Sequence, residues 1–133
     1  MTKKVLIVDD EKDVHFLFEC KLGRDSDLSE NEYIFAENGQ EAFEIYKERG
    51  DIDMIITDLD MPVMNGLDFI SLIREEDEHT PIFVISMHSD MDRLKRAHAL
   101  KVRKYLIKPF DFDELFEEMK ALMSFTPVAD AQL

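Results

Sequence analysis

The chain of 133 residues has one cysteine, Cys20, so no internal disulfide can form and a reducing setting is expected. No apolar run approaches the roughly 18 residues that a membrane helix needs, so no membrane partner is expected. Only four apolar residues separate the first four positions from a pair of aspartates, which leaves no room for a signal-peptide core. A cytoplasmic location is the expectation. Positive charge is scarce as well. Sixteen Lys and Arg stand against 30 Asp and Glu, a net charge of −14. A body that acidic repels nucleic acid, so direct binding to it is not expected. No glycine-rich loop follows the first apolar run. Asp9, Asp10 and Glu11 stand where a phosphate-cradling loop needs glycines and backbone N–H groups, which argues against a nucleotide-binding enzyme. Internal repeats and low-complexity linkers are absent too.

What is present is a foldable core. A hydrophobic fraction of 45% with 10 Phe excludes a disordered chain, and the length suits one domain. Short β-rich runs at residues 5–8, 33–36, 54–57, 82–86 and 105–107 alternate with longer stretches of helical spacing, such as Phe43, Ile45, Tyr46 and Leu67, Ile70, Ile73. The first, third and fourth runs are almost wholly apolar, as strands covered on both faces must be. Asn38 with Glu41 and Asp111 with Glu114 read as capping boxes, with Ser89 and Asp92 a weaker one. Cys20, near Phe16, Leu17 and Phe18, is expected on a buried helix face. Residues 24–32 read as a solvated acidic loop. Alternating strands and helices predict a doubly wound α/β fold with a parallel sheet. Residues 1–123 form the predicted domain, and 124–133 a tail or the start of a linker.

Four charged groups end apolar runs: Asp9 and Asp10 after the first, Asp58 after the third, Lys108 after the fifth. In a parallel sheet these tips share the carboxyl edge, where open α/β folds bind ligands. Clustered carboxylates resist full ionisation unless a cation joins them. A hard divalent ion such as Mg²⁺ takes oxygens from one or two of them and leaves room for phosphate. Asp58 would then be the nucleophile toward a phosphoryl group, with Lys108 neutralising its charge. Alone, Asp10 could equally be a helix N-cap.

The residues that carry this pattern resemble the receiver domains of two-component response regulators. The motifs are Val-Leu-Ile-Val-Asp-Asp-Glu at 5–11, Glu-Asn-Gly-Gln-Glu-Ala at 37–42, the block from Asp58 to Gly66, and Tyr-Leu-Ile-Lys-Pro-Phe at 105–110. The resemblance covers residues 3–123. It implies a flavodoxin-like five-stranded sheet of order 2-1-3-4-5 with helices on both faces. It implies that Asp58 accepts phosphate from a sensor histidine kinase or a histidine phosphotransfer protein, without the chain being an enzyme on an external substrate. Asp10, Asp58 and the backbone carbonyl of Asp60 would ligate Mg²⁺ or Mn²⁺, with Asp9 acting through the ion's waters. Lys108 would pair with phosphoryl oxygens, and the Lys108–Pro109 bond would be cis. Ser86 and Tyr105 match the family's switch pair. The Ser86 hydroxyl would move onto the phosphoryl group, and Tyr105 would turn inward, changing the surface of the fourth helix, fifth strand and fifth helix.

Each of these has a plainer alternative. Ser86 could simply bond local backbone, and Tyr105 could be an ordinary strand aromatic. Met87 stands where the family has a small residue and could narrow access to Asp58. His88 occupies a position that tunes acyl-phosphate hydrolysis, or is a solvated loop histidine. Residues 101–104 lack the family's glycine, at an expected cost to the helix end. The bases Arg93, Lys95, Arg96, Lys101, Arg103 and Lys104 precede an acidic fifth helix. They could serve an acidic downstream target, a fused output domain or a phosphorylation-dependent homodimer, or be solvated faces. The rival function is a phosphate-independent, receiver-like interaction module. A haloacid-dehalogenase-type phosphatase is disfavoured, because Asp9 and Asp10 are adjacent rather than one residue apart.

Overall fold

The computed structural model describes residues 2–124. Five strands alternate with five helices: β1 Lys4–Val8, α1 Lys12–Gly23, β2 Glu32–Ala36, α2 Gly39–Arg49, β3 Met54–Asp58, α3 Gly66–Arg74, β4 Ile82–Ser86, α4 Met91–Ala99, β5 Lys104–Ile107 and α5 Phe112–Ser124. The strands form one parallel sheet in the order β2-β1-β3-β4-β5, as expected.

Strand alternation divides the core into two layers. Leu6 and Val8 of β1, Ile55 of β3, and Ile82 and Val84 of β4 pack with Ala42, Phe69, Ile70, Ile73 and Ala97, which places α2, α3 and α4 on one face. Val5, Ile7, Met54, Ile56, Phe83 and Ile85 meet Phe18, Leu22, Leu115, Phe116 and Met119, which places α1 and α5 on the other. Every residue of β3 and β4 is buried. Burying each large aliphatic there contributes about 1.5–3 kcal/mol. The strand order reverses between β1 and β3, so their carboxyl ends border the crevice where such folds place a site.

Several local expectations need correction. In α1 the buried residues are Phe18 and Leu22, one helical turn apart, while Phe16 is 63% and Leu17 45% exposed. The 3.6-residue period turns those two to the far side, and Cys20 is only half-buried. The cap of α4 is Asp90, whose carboxylate accepts from the Arg93 amide at 3.2 Å, rather than Ser89. Asn38 caps α2 through the Glu41 amide, but the Glu41 carboxylate reaches back to the Glu37 amide. Asp111 accepts from Asp113 instead of boxing with Glu114. Within the acidic stretch 24–32, Leu28 is buried and its carbonyl accepts from the Tyr33 hydroxyl at 2.6 Å. Ser124 belongs to α5; the remainder of the predicted tail lies outside the described residues. No helix among the described residues is long and apolar enough to cross a membrane.

Candidate functional site

The tips of β1, β3 and β5 bring the four predicted charged groups together. Carboxylate oxygens of Asp9, Asp10 and Asp58 lie within 4.8 Å of one another, with Asp9 and Asp58 buried and Asp10 exposed. Lys108 Nζ is 3.2 Å from Asp58 Oδ2 and 3.6 Å from Asp9 Oδ2. Lys108 is aimed there by its own backbone, whose amide donates to the Ser86 carbonyl at 2.8 Å. The peptide bond after it, to Pro109, is cis, as the motif implies.

The electrostatics are under-neutralised, with three carboxylates against one ammonium. Burial pushes the Asp9 carboxyl up to about 6, with Asp58 adding to the effect and the Glu11 amide opposing it. Burial also raises the Asp58 carboxyl, against the pull of Lys108 and of the Asp60 amide, 3.2 Å from Oδ1. For Lys108, burial works downward, but Asp9 and Asp58 outweigh it and the ammonium is held above its usual range. Hard oxygen donors carrying surplus negative charge are the set that a hard divalent cation takes. The Asp60 carboxylate lies 3.1 Å from His88 Nε2 and 3.9 Å from Arg93 Nη2.

The loop after Asp58 must be built tightly to hold this geometry. The Gly66 amide returns to the Leu59 carbonyl at 2.9 Å. A Cβ on Gly66 would lie 2.2 Å from the Asp58 carbonyl oxygen, so glycine is required there by close approach. The same carbonyl accepts from the buried Thr57 hydroxyl at 2.8 Å. Between them the Pro62 carbonyl and Met64 amide close a three-residue turn at 2.7 Å, with Val63 at φ 67°. In the sequence Gly66 stands only as the end of the block that begins at Asp58. Its contact with Asp58 is made across the loop and leaves no local pattern.

The remaining predicted residues surround the cluster. Ser86 is buried at the tip of β4, and its hydroxyl oxygen accepts from the His88 amide at 3.0 Å. Tyr105 is half-buried against the α2–α3–α4 core, and its hydroxyl donates to the His88 carbonyl at 2.7 Å. His88 thus meets Ser86 and Tyr105 through its backbone amide and carbonyl, and Asp60 through its half-exposed imidazole. Met87 is 73% exposed and lines a groove of about 340 Å³ beside Lys108, shared with Val14, Leu17, Pro109, Phe110 and Phe112. The bases after Ser86 are mostly paired within the chain: Arg93 with Asp90, Arg96 with Asp68, Lys101 with Glu78, and Lys104 with Glu114 and Glu118.

A sequence-family model described as the response regulator receiver domain matches residues 5–120. The chain belongs to that family. Among relatives, this receiver is 30% identical over 122 residues to a chemotaxis protein CheY homolog of Campylobacter jejuni, covering 90% of this chain and 92% of that one. It is 34% identical over 120 residues to the transcriptional regulatory protein PrrA of Mycobacterium tuberculosis, covering 90% of this chain but 49% of the relative. Among solved structures, the response regulator TrrA of Thermotoga maritima, in complex with Mg²⁺ and BeF, superposes with a TM-score of 0.77. It is 31% identical, with 91% of this chain and 99% of that one covered. The receiver is thus CheY-like, in a family of two-component signalling proteins.

Proposed function

We propose that the receiver is a phosphoacceptor switch in which Asp58 takes a phosphoryl group from the phosphohistidine of a sensor histidine kinase or histidine phosphotransfer protein. The carrying observation is the position of Asp58, buried at the tip of β3 with Lys108 Nζ at 3.2 Å and two more carboxylates within reach. Asp58 Oδ attacks phosphorus, the P–N bond to the donor imidazole breaks, and an acyl phosphate forms. Lys108 moves its pairing from the carboxylate to a phosphoryl oxygen. Asp9, Asp10, Asp58 and the Asp60 carbonyl would hold Mg²⁺ or Mn²⁺, which supplies charge neutralisation on the transferring group. The apolar groove beside Lys108 suits the body of a protein donor. The product is the modified chain itself, so the reading is of a signalling module in the cytoplasm rather than an enzyme with an external substrate.

For output, Ser86 would leave the His88 amide to bond the phosphoryl group, and the His88 carbonyl would carry the change to Tyr105. The surface of α4, β5 and α5 would then meet a downstream protein, a fused output domain or a second copy. Residues 1–123 would be the module that does this. Self-pairing would have to draw on exposed Lys95 and Arg103, since the other bases have partners in the chain. Sedimentation velocity at micromolar concentration should show the phosphorylated form heavier if a dimer is the output.

The deciding experiment is intact mass after acetyl phosphate and Mg²⁺, on the native chain and on Asp58→Asn. One added phosphoryl group, absent in the variant and without the ion, is expected. No adduct and no BeF₃⁻ binding would sink the reading. A second test uses Asp9. Its folded-state pKa of about 6 lies above the ordinary value of 3.8, so the folded chain holds that proton more tightly. Without divalent ion, this group's contribution to stability should therefore fall as pH rises from about 4 to 6 and stay lost above. Thermal melts across that window should show the decline, Asp9→Asn should flatten it, and Mg²⁺ should reverse it at pH 7.

A further inference from the structure

The site as described makes no use of His15, yet this half-buried side chain touches it. His15 Nε2 lies 2.7 Å from the backbone carbonyl oxygen of Asp9. A carbonyl can only accept, so Nε2 carries the hydrogen and donates. The other side of the ring rests on Phe35 of β2, with centroids 4.9 Å apart and planes tilted by 38°. Phe35 precedes Ala36, whose carbonyl accepts from the Asp9 amide at 3.0 Å. The imidazole is therefore clamped between the edge strand and the end of β1.

Besides its ion pair with Lys108, Asp9 is held by three hydrogen bonds: to Ala36, to His15, and through its Oδ1, which accepts from the Glu11 amide at 2.9 Å. The His15 bond matters most for the residue that follows. The Asp9 carbonyl and the Asp10 amide belong to one rigid peptide plane, so fixing the carbonyl fixes the direction in which Asp10 leaves the strand. Asp10 needs that help. It is the exposed member of the carboxylate trio, and Glu11, the N-cap of α1, makes no side-chain capping bond.

We infer that His15 is a positioning residue for the cation site. Its bond to the Asp9 carbonyl keeps the Asp10 carboxylate within reach of the Asp9 and Asp58 oxygens. This rests on the cation reading above, and it adds to the site a residue outside the acidic motif. Groups that orient metal ligands commonly change affinity by 10–100-fold when removed.

The test is a Mn²⁺ titration of the full chain, followed by the loss of the free-ion EPR signal, for the native protein, D10N, H15F, H15Q and H15M. H15F keeps a ring against Phe35 and loses the donor, so its Kd should rise roughly tenfold. H15Q places an amide donor near the Nε2 position without a ring, and its Kd should return close to the native value. H15M has Gln's length and no donor, and should bind as weakly as H15F; the Gln and Met pair alone decides the matter if H15F does not fold. Ring packing as the real role predicts the reverse, with H15F normal and H15Q weak, and that result overturns the inference. So does equal affinity of H15Q and H15M. A native chain that binds no Mn²⁺, or a D10N variant that binds as well as native, overturns the cation reading and the inference with it. Native binding lost in D10N but kept in H15F overturns the inference alone.

Discussion

Two consecutive βα units share this sheet and are built in opposite ways. β3 carries Asp58 at its tip and runs into α3, which buries Leu67, Phe69, Ile70 and Ile73. β4 carries Ser86 at its tip and runs into α4, of which only Ala97 is buried. The first unit holds the acceptor still. The helix of the second, beyond Ala97 and the flanking Leu100 and Val102, meets the body through polar contacts: the Arg93 and His88 contacts to Asp60, Arg96 with Asp68, and the Arg74 guanidinium at its far end. A helix held by exchangeable polar contacts can be re-seated by a change of charge at Asp58, whereas a helix held by close-packed apolar volume cannot shift without leaving a cavity. On the proposed function, α4 is the element that moves because it is the element the core holds least.

The largest expected effect tests the welded side. Ile73→Ala removes a wholly buried side chain and should cost about 3 kcal/mol, from lost transfer and the cavity left behind. The matching change on α4, Leu94→Ala, truncates a half-buried side chain and should cost nearer 1 kcal/mol. Urea denaturation of both variants measures the gap. Equal losses would mean that α4 is as firmly packed as α3, and the contrast would fail.

The next effect concerns the joint between the helices. Arg74, at the end of α3, donates from Nε to the Leu100 carbonyl at 2.8 Å, from Nη2 to the Lys101 carbonyl at 3.2 Å and from Nη1 to the Asp77 carbonyl at 3.1 Å. Arg74→Ala leaves three carbonyls without that partner and should cost about 2 kcal/mol. Amide exchange should speed up at the C-terminal end of α4 while α3 keeps its protection. Uniform loss across both helices would show that the clamp serves global stability instead.

How much of this was legible depends on how local each signal is. The strands, their order and the convergence of Asp9, Asp10, Asp58 and Lys108 could be read because apolar runs and a family motif are properties of short stretches. The Asn38 cap was legible for the same reason. Ser89, Asp90 and Asp92 are all competent caps within four positions, and only the path of the chain selects Asp90. Phe16, Leu17 and Phe18 cover more than one helical face, so tertiary packing decides which is buried. Arg74 reads from sequence as an ordinary last-turn base, and His15 as an isolated histidine. Both act on backbone carbonyls, which every residue has, so no pattern of side chains announces the contact. Gly66 was visible as a glycine but its reason was not, because the atom it must avoid belongs to Asp58.

The smallest effect sharpens the contrast at α4's far end. Lys101 follows the helix with φ 60°, a left-handed conformation that costs a residue with a Cβ about 1 kcal/mol and glycine almost nothing. Lys101→Gly also removes an exposed ion pair to Glu78, 2.8 Å long, and pairs of that kind contribute little. The backbone gain should therefore win, by roughly 0.5–1 kcal/mol, or a few degrees in Tm. Lys101→Ala is the control, since it loses the same ion pair and keeps the strain, and it should be slightly destabilised. A rise with Gly and none with Ala assigns the effect to the backbone. The carbonyls that Arg74 holds remain in place in both variants, so the glycine variant should firm the C-terminal anchor of α4 without touching its N-terminal end. Hydrogen exchange should then slow at residues near 100 and stay unchanged near Asp90. Slowing along the whole helix would show that α4 moves as one body rather than from the end that adjoins Asp58.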